Sequence, residues 1–235
     1  MIRVLTFKFF FYIGTILICL VFIPALLLPQ KIILIGGKIL GYWIKFCLYV
    51  FLSVRINVKG IENIPKDKPF FIASLHQSLI ETFFLQTIFN SPIFILKKEL
   101  LNIPIFGWHL KKIGSISIDR NKVSKENLGF YEKIISITLK SKRPVIIFPQ
   151  ATRMPVEDKS PFKKGVSRIY EKLNFICVPV ALNSGLVWPK GSRIYANKTI
   201  TVSILEHIPI GLQTIEFQKK IEQDLYKELD KINLS

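Results

Sequence analysis

The chain has 235 residues, half of them hydrophobic, and its 33 lysines and arginines against 16 acidic residues give a formal net charge of +17. This length holds one domain with a substantial core, while the apolar content is too high for an ordinary soluble domain and predicts a membrane-associated part. The charge points to a polyanionic partner, a nucleic acid or an anionic lipid surface, and the apolar excess favours the lipid. The three cysteines, Cys19, Cys47 and Cys177, lie in apolar runs without metal-ligand spacing, which predicts buried, reduced thiols in a cytosol-facing protein and no metal site.

The amino-terminal part of the chain contains two apolar stretches. The first, from Phe9 to Leu28, carries no charge and is long enough to cross a bilayer as a helix, although a buried monotopic helix fits it equally well. The second, from Ile39 to Val54, has Lys45 in its middle and fits an interfacial or re-entrant helix better than a full span. We therefore predict a retained membrane anchor of two helices at 1–55, followed by a second domain at 56–235.

Short apolar runs alternate with amphipathic ones after the anchor. The predicted strands are Arg55–Val58, Phe70–Ser74, Ile93–Leu96, Ile116–Ile118, Val145–Phe148, Ile176–Ala181 and Ile200–Leu205. The predicted helices are Ser78–Phe89, Lys125–Leu139, Lys164–Leu173 and Ile215–Ile232. This alternation predicts an α/β fold with a mixed, largely parallel sheet flanked by helices. The stretch Asn183–Asn197 is predicted to form a long surface loop, in which Trp188, Lys190 and Arg193 lie either at the level of lipid headgroups or simply in solvent.

His76 and Glu81 follow an apolar strand-like run and are the first candidates for chemistry. A histidine that removes a proton from an alcohol needs a carboxylate to fix its tautomer and stabilise the imidazolium. The carboxyl end of a strand, where the pair lies, is the usual ligand site of open α/β sheets. Residues five apart point about 140° away from each other on one helix. The pair can therefore meet only if His76 lies at or before the helix start.

Three further blocks accompany the pair, and each also occurs in ordinary strand-end loops. The first combines Lys97–Leu100, Ile103–Trp108 and Gly114–Arg120, and the others are Phe148–Arg153 and Val178–Gly185. In order and spacing they resemble the lysophosphatidic acid acyltransferases of the glycerolipid acyltransferase superfamily. Members of that family carry H-x4-D/E, K-x-E-L with G-x-x-x-I-D-R, F-P-E-G-T-R and V-P-V motifs behind one or two hydrophobic helices. The resemblance extends from the anchor to about Gly185.

The resemblance implies transfer of a fatty acyl group from acyl-CoA or acyl-carrier protein to the free hydroxyl of a lysophospholipid. The usual acceptor is 1-acylglycerol-3-phosphate and the product is phosphatidate, a step of phospholipid biosynthesis that needs no cofactor besides the acyl donor. It also implies a membrane phospholipid surface as partner, at the inner or cytoplasmic membrane with the active site at the cytosolic face. A nucleic-acid partner is not expected, because the sequence contains no recognisable nucleic-acid-binding motif.

The same resemblance implies roles for individual residues. His76 is expected to act as general base and Glu81 to orient it. Arg153 and Lys97 are expected to bind the substrate phosphate, helped by the Thr152 hydroxyl, since guanidinium and ammonium groups suit phosphate oxygens. Arg120 is either a further phosphate contact or the partner of Asp119 in an ion pair. Residues with a structural role in the motifs are Ser78, expected as a helix N-cap, together with Pro149, Gln150, Gly114 and Pro179.

Two positions depart from the family pattern. Gln150 stands where the family has Glu, and Ala151 stands where it has Gly. An amide can hold a hydrogen-bonded turn but carries no charge, and alanine is strained wherever the backbone needs a positive φ. These departures leave two alternatives open: a silent relative that binds lysophospholipid or acts as a scaffold, or an acyltransferase for another lyso-lipid.

Overall fold

The computed structural model describes residues 1–118, 129–191 and 193–234, which form a mixed sheet flanked by helices. The helices are α1 Ile2–Val21, α2 Gln30–Leu52, α3 Glu81–Ile88, α4 Phe106–Lys112, α5 Phe130–Ser141, α6 Gly165–Leu173 and α7 Thr214–Leu234. The strands are β1 Arg55–Lys59, β2 Phe70–Ser74, β3 Ile93–Lys97, β4 Ile116–Ile118, β5 Val145–Ile147, β6 Ile176–Leu182 and β7 Thr199–Ile204. Each strand agrees with the sequence prediction to within a residue at either end.

The strands are ordered β1-β7-β6-β2-β5-β3-β4, and every neighbouring pair is parallel except β6 and β7. The predicted largely parallel sheet is thus confirmed. The central strands are buried on both faces, which explains why they appear in the sequence as unbroken apolar runs. On one side of β6, the pairing with β7 begins at Val180, and an isolated bridge joins Cys177 to Ile208. Pro179 lies between these two pairings. A residue without an N–H is tolerated at such a gap in the pairing.

After the anchor, the helices differ from the prediction by more than two residues at three places. The helix α3 begins at Glu81 rather than Ser78, and α4 was not predicted at all. The predicted helix from Lys125 begins at Phe130 as far as the structure describes it, since 125–128 lie outside the described residues. The short α4 ends at Lys112 and is followed by Gly114, whose φ of +84° is the left-handed conformation that commonly follows a helix.

Both amino-terminal helices are long and apolar enough to cross a membrane, judged by length and composition. The helix α1 spans Ile2–Val21 rather than the predicted Phe9–Leu28, and a separate short 3-10 helix at Pro24–Leu26 follows it. The helix α2 starts nine residues before the predicted Ile39, because Lys31 and Lys38 interrupt the apolar run without interrupting the helix. One side of the pair joins the core of the sheet domain through Phe7, Phe11 and the buried side chains of α2. The other side exposes a row of large apolar side chains, including Leu5, Phe9, Tyr12, Ile16, Ile35, Ile39, Tyr42, Phe46 and Tyr49. An exposed apolar face of this extent is typical of a membrane-associated protein.

The stretch Asn183–Asn197 is only partly the surface loop that the sequence predicted. Its first residues are buried, and Asn183 is fixed by hydrogen bonds to the β7 backbone at Thr201 and to the Ile232 carbonyl. Trp188 packs edge-on against Phe7 and Phe11 of α1, with ring centroids 5.8 and 5.4 Å apart. Trp188 is therefore half-buried against the anchor rather than simply in solvent, and its ring joins the anchor to the domain. The three cysteines are free and buried, as predicted.

Candidate active site

His76 lies in the segment between β2 and α3, before the helix begins, and so meets the geometric condition for reaching Glu81. Its Nδ1 lies 2.5 Å from Glu81 Oε1. With Nδ1 donating to the carboxylate, Nε2 is left as the nitrogen that can accept a proton. The imidazole is partly exposed, whereas the Glu81 carboxylate is fully buried. This arrangement can activate a hydroxyl group.

The Glu81 carboxylate is surrounded by hydrogen-bond donors. Oε1 accepts the backbone N–H of Gln77 at 2.9 Å, and Oε2 accepts that of Ser78 at 3.1 Å and the hydroxyl of Ser184. Burying a neutral polar group without a hydrogen bond already costs about 2–7 kcal/mol, and burying an unpaired charge costs more. The donors therefore offset the cost of burying the carboxylate and fix its position. The expectation that Ser78 caps α3 is wrong, since Ile80 occupies the N-cap and Ser78 contributes its N–H to Glu81 instead.

Ser184 lies in the segment Val178–Gly185, which carries the V-P-V motif, but no role was predicted for it. It is fully buried and follows β6, the parallel neighbour of β2. Because both strands end at the same edge of the sheet, the residue after β6 reaches the residues after β2. The signal in the sequence was a hydroxyl three residues after a predicted strand, which is too common to single out.

The backbone of His76 is held by the segment that follows β5. Its N–H donates to Gln150 Oε1 at 2.7 Å, and its carbonyl accepts the N–H of Met154 at 2.8 Å. The imidazole stacks on the Phe148 ring at 4.1 Å between centroids and 19° between planes. The Pro149 carbonyl accepts the N–H of Lys163, which ties the same segment to the start of α6. The motif Phe148–Arg153 thus positions the histidine.

Gln150 has a role that suits an amide. Besides accepting from His76, its side chain is hydrogen-bonded to the phenol of Tyr226 on α7, which itself donates to the Ser160 carbonyl at 2.6 Å. Burial raises the pKa of Tyr226 to about 12, and the bond from Gln150 partly offsets that rise. An amide offers both an acceptor oxygen and N–H donors, whereas a carboxylate offers acceptors only.

Ala151 adopts the conformation that the sequence analysis identified as strained. Its φ is +59°, and its N–H donates to the Phe148 carbonyl at 2.9 Å to close a tight turn. The left-handed region costs a residue with a Cβ roughly 1–2 kcal/mol. The turn is formed nonetheless, with the bonds of its neighbours holding it in place.

A cavity of about 680 Å³ opens beside His76. Its interior is largely apolar and is lined by helices of the anchor as well as by the domain. The lining includes Ile18, Cys19 and Phe22 of the first helix and its end, Ile33, Gly36, Gly37 and Leu40 of α2, and Phe94, Leu96, Leu110 and Ile113 of the domain. The anchor and the domain thus form one binding site.

Basic side chains line the same cavity. Lys97, Thr152 and Arg153, all predicted to bind phosphate, are among the lining residues, and Lys190 joins them with Nζ 3.3 Å from Thr152 Oγ1. Lys97 also forms an exposed ion pair with Glu99 at 2.8 Å. Within the part of the chain that the structure describes, no carboxylate lines the cavity and no group of His, Cys, Asp or Glu could hold a metal. Arg120 and Asp119 lie outside the described residues.

Comparison with known proteins gives a consistent result. A family model described as Acyltransferase matches residues 55–183. The chain is 38% identical over 165 residues to the 1-acyl-sn-glycerol-3-phosphate acyltransferase of Pseudomonas aeruginosa, covering 69% of this chain and 63% of that relative. It is 30% identical over 218 residues to that of Saccharomyces cerevisiae, covering 86% and 70%. The crystal structure of the acyltransferase PlsC from Thermotoga maritima has a TM-score of 0.77 at 24% identity, covering 98% and 97%, which supports the fold.

Proposed function

The chain belongs to the acyltransferase family that includes the 1-acyl-sn-glycerol-3-phosphate acyltransferases, and from this premise we propose that it converts 1-acylglycerol-3-phosphate to phosphatidate. The acyl donor is a thioester, either acyl-CoA or acyl-carrier protein. The observation that carries the proposal is the His76–Glu81 pair at the mouth of an apolar cavity lined by basic side chains.

In this reaction His76 acts as general base. As the acceptor oxygen attacks the thioester carbonyl, its proton moves to Nε2, while Glu81 holds Nδ1–H and stabilises the imidazolium. The resulting tetrahedral intermediate collapses with breakage of the C–S bond, and the imidazolium returns the proton to the leaving thiolate. No acyl-enzyme is formed, so the two substrates must lie in the site together.

The acceptor phosphate is bound by Arg153, Lys97 and Lys190. Arg153 forms no hydrogen bond or ion pair with any other described side chain, so its guanidinium is available for two parallel bonds to a phosphate. Among the described residues, the charged side chains that line the cavity are cations, and the electrostatic potential there therefore favours an anionic acceptor over a neutral one. The Thr152 hydroxyl, beside Lys190, adds a neutral donor.

The apolar cavity takes acyl chains. Its volume of about 680 Å³ falls within the range of pockets that enclose small ligands, about 300–1,000 Å³. Because α1 and α2 supply part of the lining, a chain can enter from the lipid that contacts their exposed apolar face. We place the protein on the inner membrane with this site on the cytosolic side, where thioester donors are available.

The test uses the purified full chain in detergent micelles with acyl-CoA or acyl-carrier-protein donors. The acceptors are lysophosphatidate, a lysophosphatidylcholine and a monoacylglycerol with the same acyl chain. We expect phosphatidate from lysophosphatidate, with a kcat/KM at least about tenfold above that of the monoacylglycerol, because a charged hydrogen bond contributes about 1.5–3 kcal/mol. Preference for another lyso-lipid would identify that lipid as the acceptor. Binding of lysophosphatidate without acyl transfer from any donor would indicate a silent relative.

A further inference from the structure

A second pocket, of about 560 Å³ and open to solvent, lies at the carboxyl end of α2. We call it the α2-end pocket. It is lined by Tyr49, Val50, Ser53, Arg55, Asn197, Lys198 and Thr199, and it shares no lining residue with the catalytic cavity. The lining combines hydroxyl, amide and cationic groups, and it contains no carboxylate.

Backbone hydrogen bonds between three chain segments form the floor of this pocket. The Asn197 N–H donates to the Leu52 carbonyl at 2.8 Å, and the Arg55 N–H donates to the Lys198 carbonyl at 3.3 Å. These bonds join the end of α2 to the starts of β1 and β7. The two cationic side chains are therefore carried on neighbouring, fixed backbone positions.

Arg3 of α1 is hydrogen-bonded to two of the residues that line the pocket. Its guanidinium donates to the Phe51 carbonyl at 3.0 Å, to Ser53 Oγ at 2.7 Å and to Asn197 Oδ1 at 3.2 Å. The last carbonyls of a helix carry a partial negative charge, which would repel an anion. Arg3 offsets that charge. Its hydrogen bonds cap the end of α2, so its position is explained without a ligand.

Arg55 and Lys198 have no comparable structural role. Both are exposed, and neither forms an ion pair or a side-chain hydrogen bond with any residue that the structure describes. Two cations that share one pocket without a counter-charge are suited to a phosphate, which guanidinium groups bind through two parallel hydrogen bonds.

The pocket also lies at the edge of the apolar face of the anchor. Tyr49 and Val50, which line it, are 58% and 47% exposed, and they continue the row of exposed apolar side chains on α2. Tyrosine is enriched where a membrane meets water. When the apolar face contacts lipid, Arg55 and Lys198 come to the level of the headgroups.

We propose that the α2-end pocket binds the phosphate of an anionic membrane phospholipid and thereby holds the protein on the bilayer. The binding concerns attachment rather than acyl transfer, so it does not depend on the acceptor of the reaction. Each cation near an anionic surface contributes about 1 kcal/mol, which corresponds to about fivefold in affinity, or about 30-fold for the two.

The experiment compares the full chain with an Arg55→Gln/Lys198→Gln variant and a control, Lys164→Gln/Arg168→Gln, which removes the same charges from the exposed side of α6. Each protein is diluted from detergent into phosphatidylcholine vesicles with or without phosphatidylglycerol, and binding is measured by flotation. We expect the pocket variant to lose about 30-fold in apparent affinity on anionic vesicles only, and the control less than about threefold. The swapped variant Arg55→Lys/Lys198→Arg keeps both positive charges and should retain most of the wild-type binding.

Equal losses in the pocket variant and the control would show diffuse attraction of charge and overturn the proposal. An equal loss on neutral vesicles would do the same, and circular dichroism with thermal unfolding checks that every variant is folded. Inorganic phosphate, compared with chloride at matched ionic strength, separates the two sources of the ligand. Because free phosphate competes for the same site, we expect phosphate to release the wild type more than the pocket variant from anionic vesicles. If the two proteins bind anionic vesicles equally well in chloride, the pocket takes free phosphate at most and the lipid assignment is wrong.

Discussion

The Glu81 carboxylate and the cations of the catalytic cavity are held in opposite ways. Glu81 is fully buried and receives hydrogen bonds from His76, Gln77, Ser78 and Ser184. The cations instead lie at the surface of the cavity, with one exposed ion pair and one long hydrogen bond to a threonine among the described residues. In the proposed mechanism, the group that orients the base is therefore fixed before substrate arrives, whereas the groups proposed to bind phosphate keep donors available for it. Changes in the buried network should lower kcat, and changes in the cations should raise KM.

The largest effect is expected for Glu81→Gln. The amide retains one acceptor but turns a donor toward the N–H and hydroxyl groups that now bind the carboxylate, and it cannot stabilise an imidazolium. We expect kcat to fall by about 10²–10⁴ with little change in the KM for lysophosphatidate, measured by steady-state kinetics at saturating donor. If Glu81→Gln raised KM and left kcat unchanged, the buried network and the cations would not differ in their roles.

Replacing Arg153 or Lys190 by glutamine tests the other region. Each loss of a charged contact with the phosphate should raise the KM for lysophosphatidate about 10-fold or more and leave kcat within about threefold. The matched control is a monoacylglycerol acceptor, for which neither substitution should change KM. An equal rise with that acceptor would show that the cations do not act on the phosphate.

Ser184→Ala should have a smaller effect on the buried side. Glu81 loses one of its donors but keeps the other three partners, so we expect kcat to fall about tenfold. Ser184→Thr keeps the hydroxyl and should recover most of the activity. Full activity in the alanine variant, with an unchanged unfolding temperature, would show that this hydroxyl does not position Glu81.

The smallest expected change is Ala151→Gly. Relief of the left-handed strain is worth about 1–2 kcal/mol, of which glycine loses about 0.5–1 to the greater entropy of the unfolded chain. A gain of about 0.5 kcal/mol in the free energy of unfolding should appear in denaturant titrations, with kcat unchanged. Ala151→Val, which worsens the strain, should lower stability; a gain would contradict the assignment of strain.

The sheet was predictable because its strands are buried and therefore appear as unbroken apolar runs, such as Phe70–Ser74 before His76. The dyad was predictable because its two residues are close in sequence. Ser184 was not, since it lies 103 positions from Glu81 and meets it only through the pairing of β2 with β6. That Lys190 lines the cavity was not predicted, because the path of its loop depends on the packing of Trp188 against α1. Such contacts depend on tertiary structure and leave no local pattern.

The most direct test of the central claim compares phosphatidate formation by the wild type and by His76→Ala, with lysophosphatidate and a thioester donor at saturating concentrations. The wild type should turn over, and the variant should be slower by about 10² or more while keeping the circular dichroism spectrum and unfolding temperature of the wild type. Near-full activity in a folded His76→Ala protein would contradict the assignment of His76 as the general base.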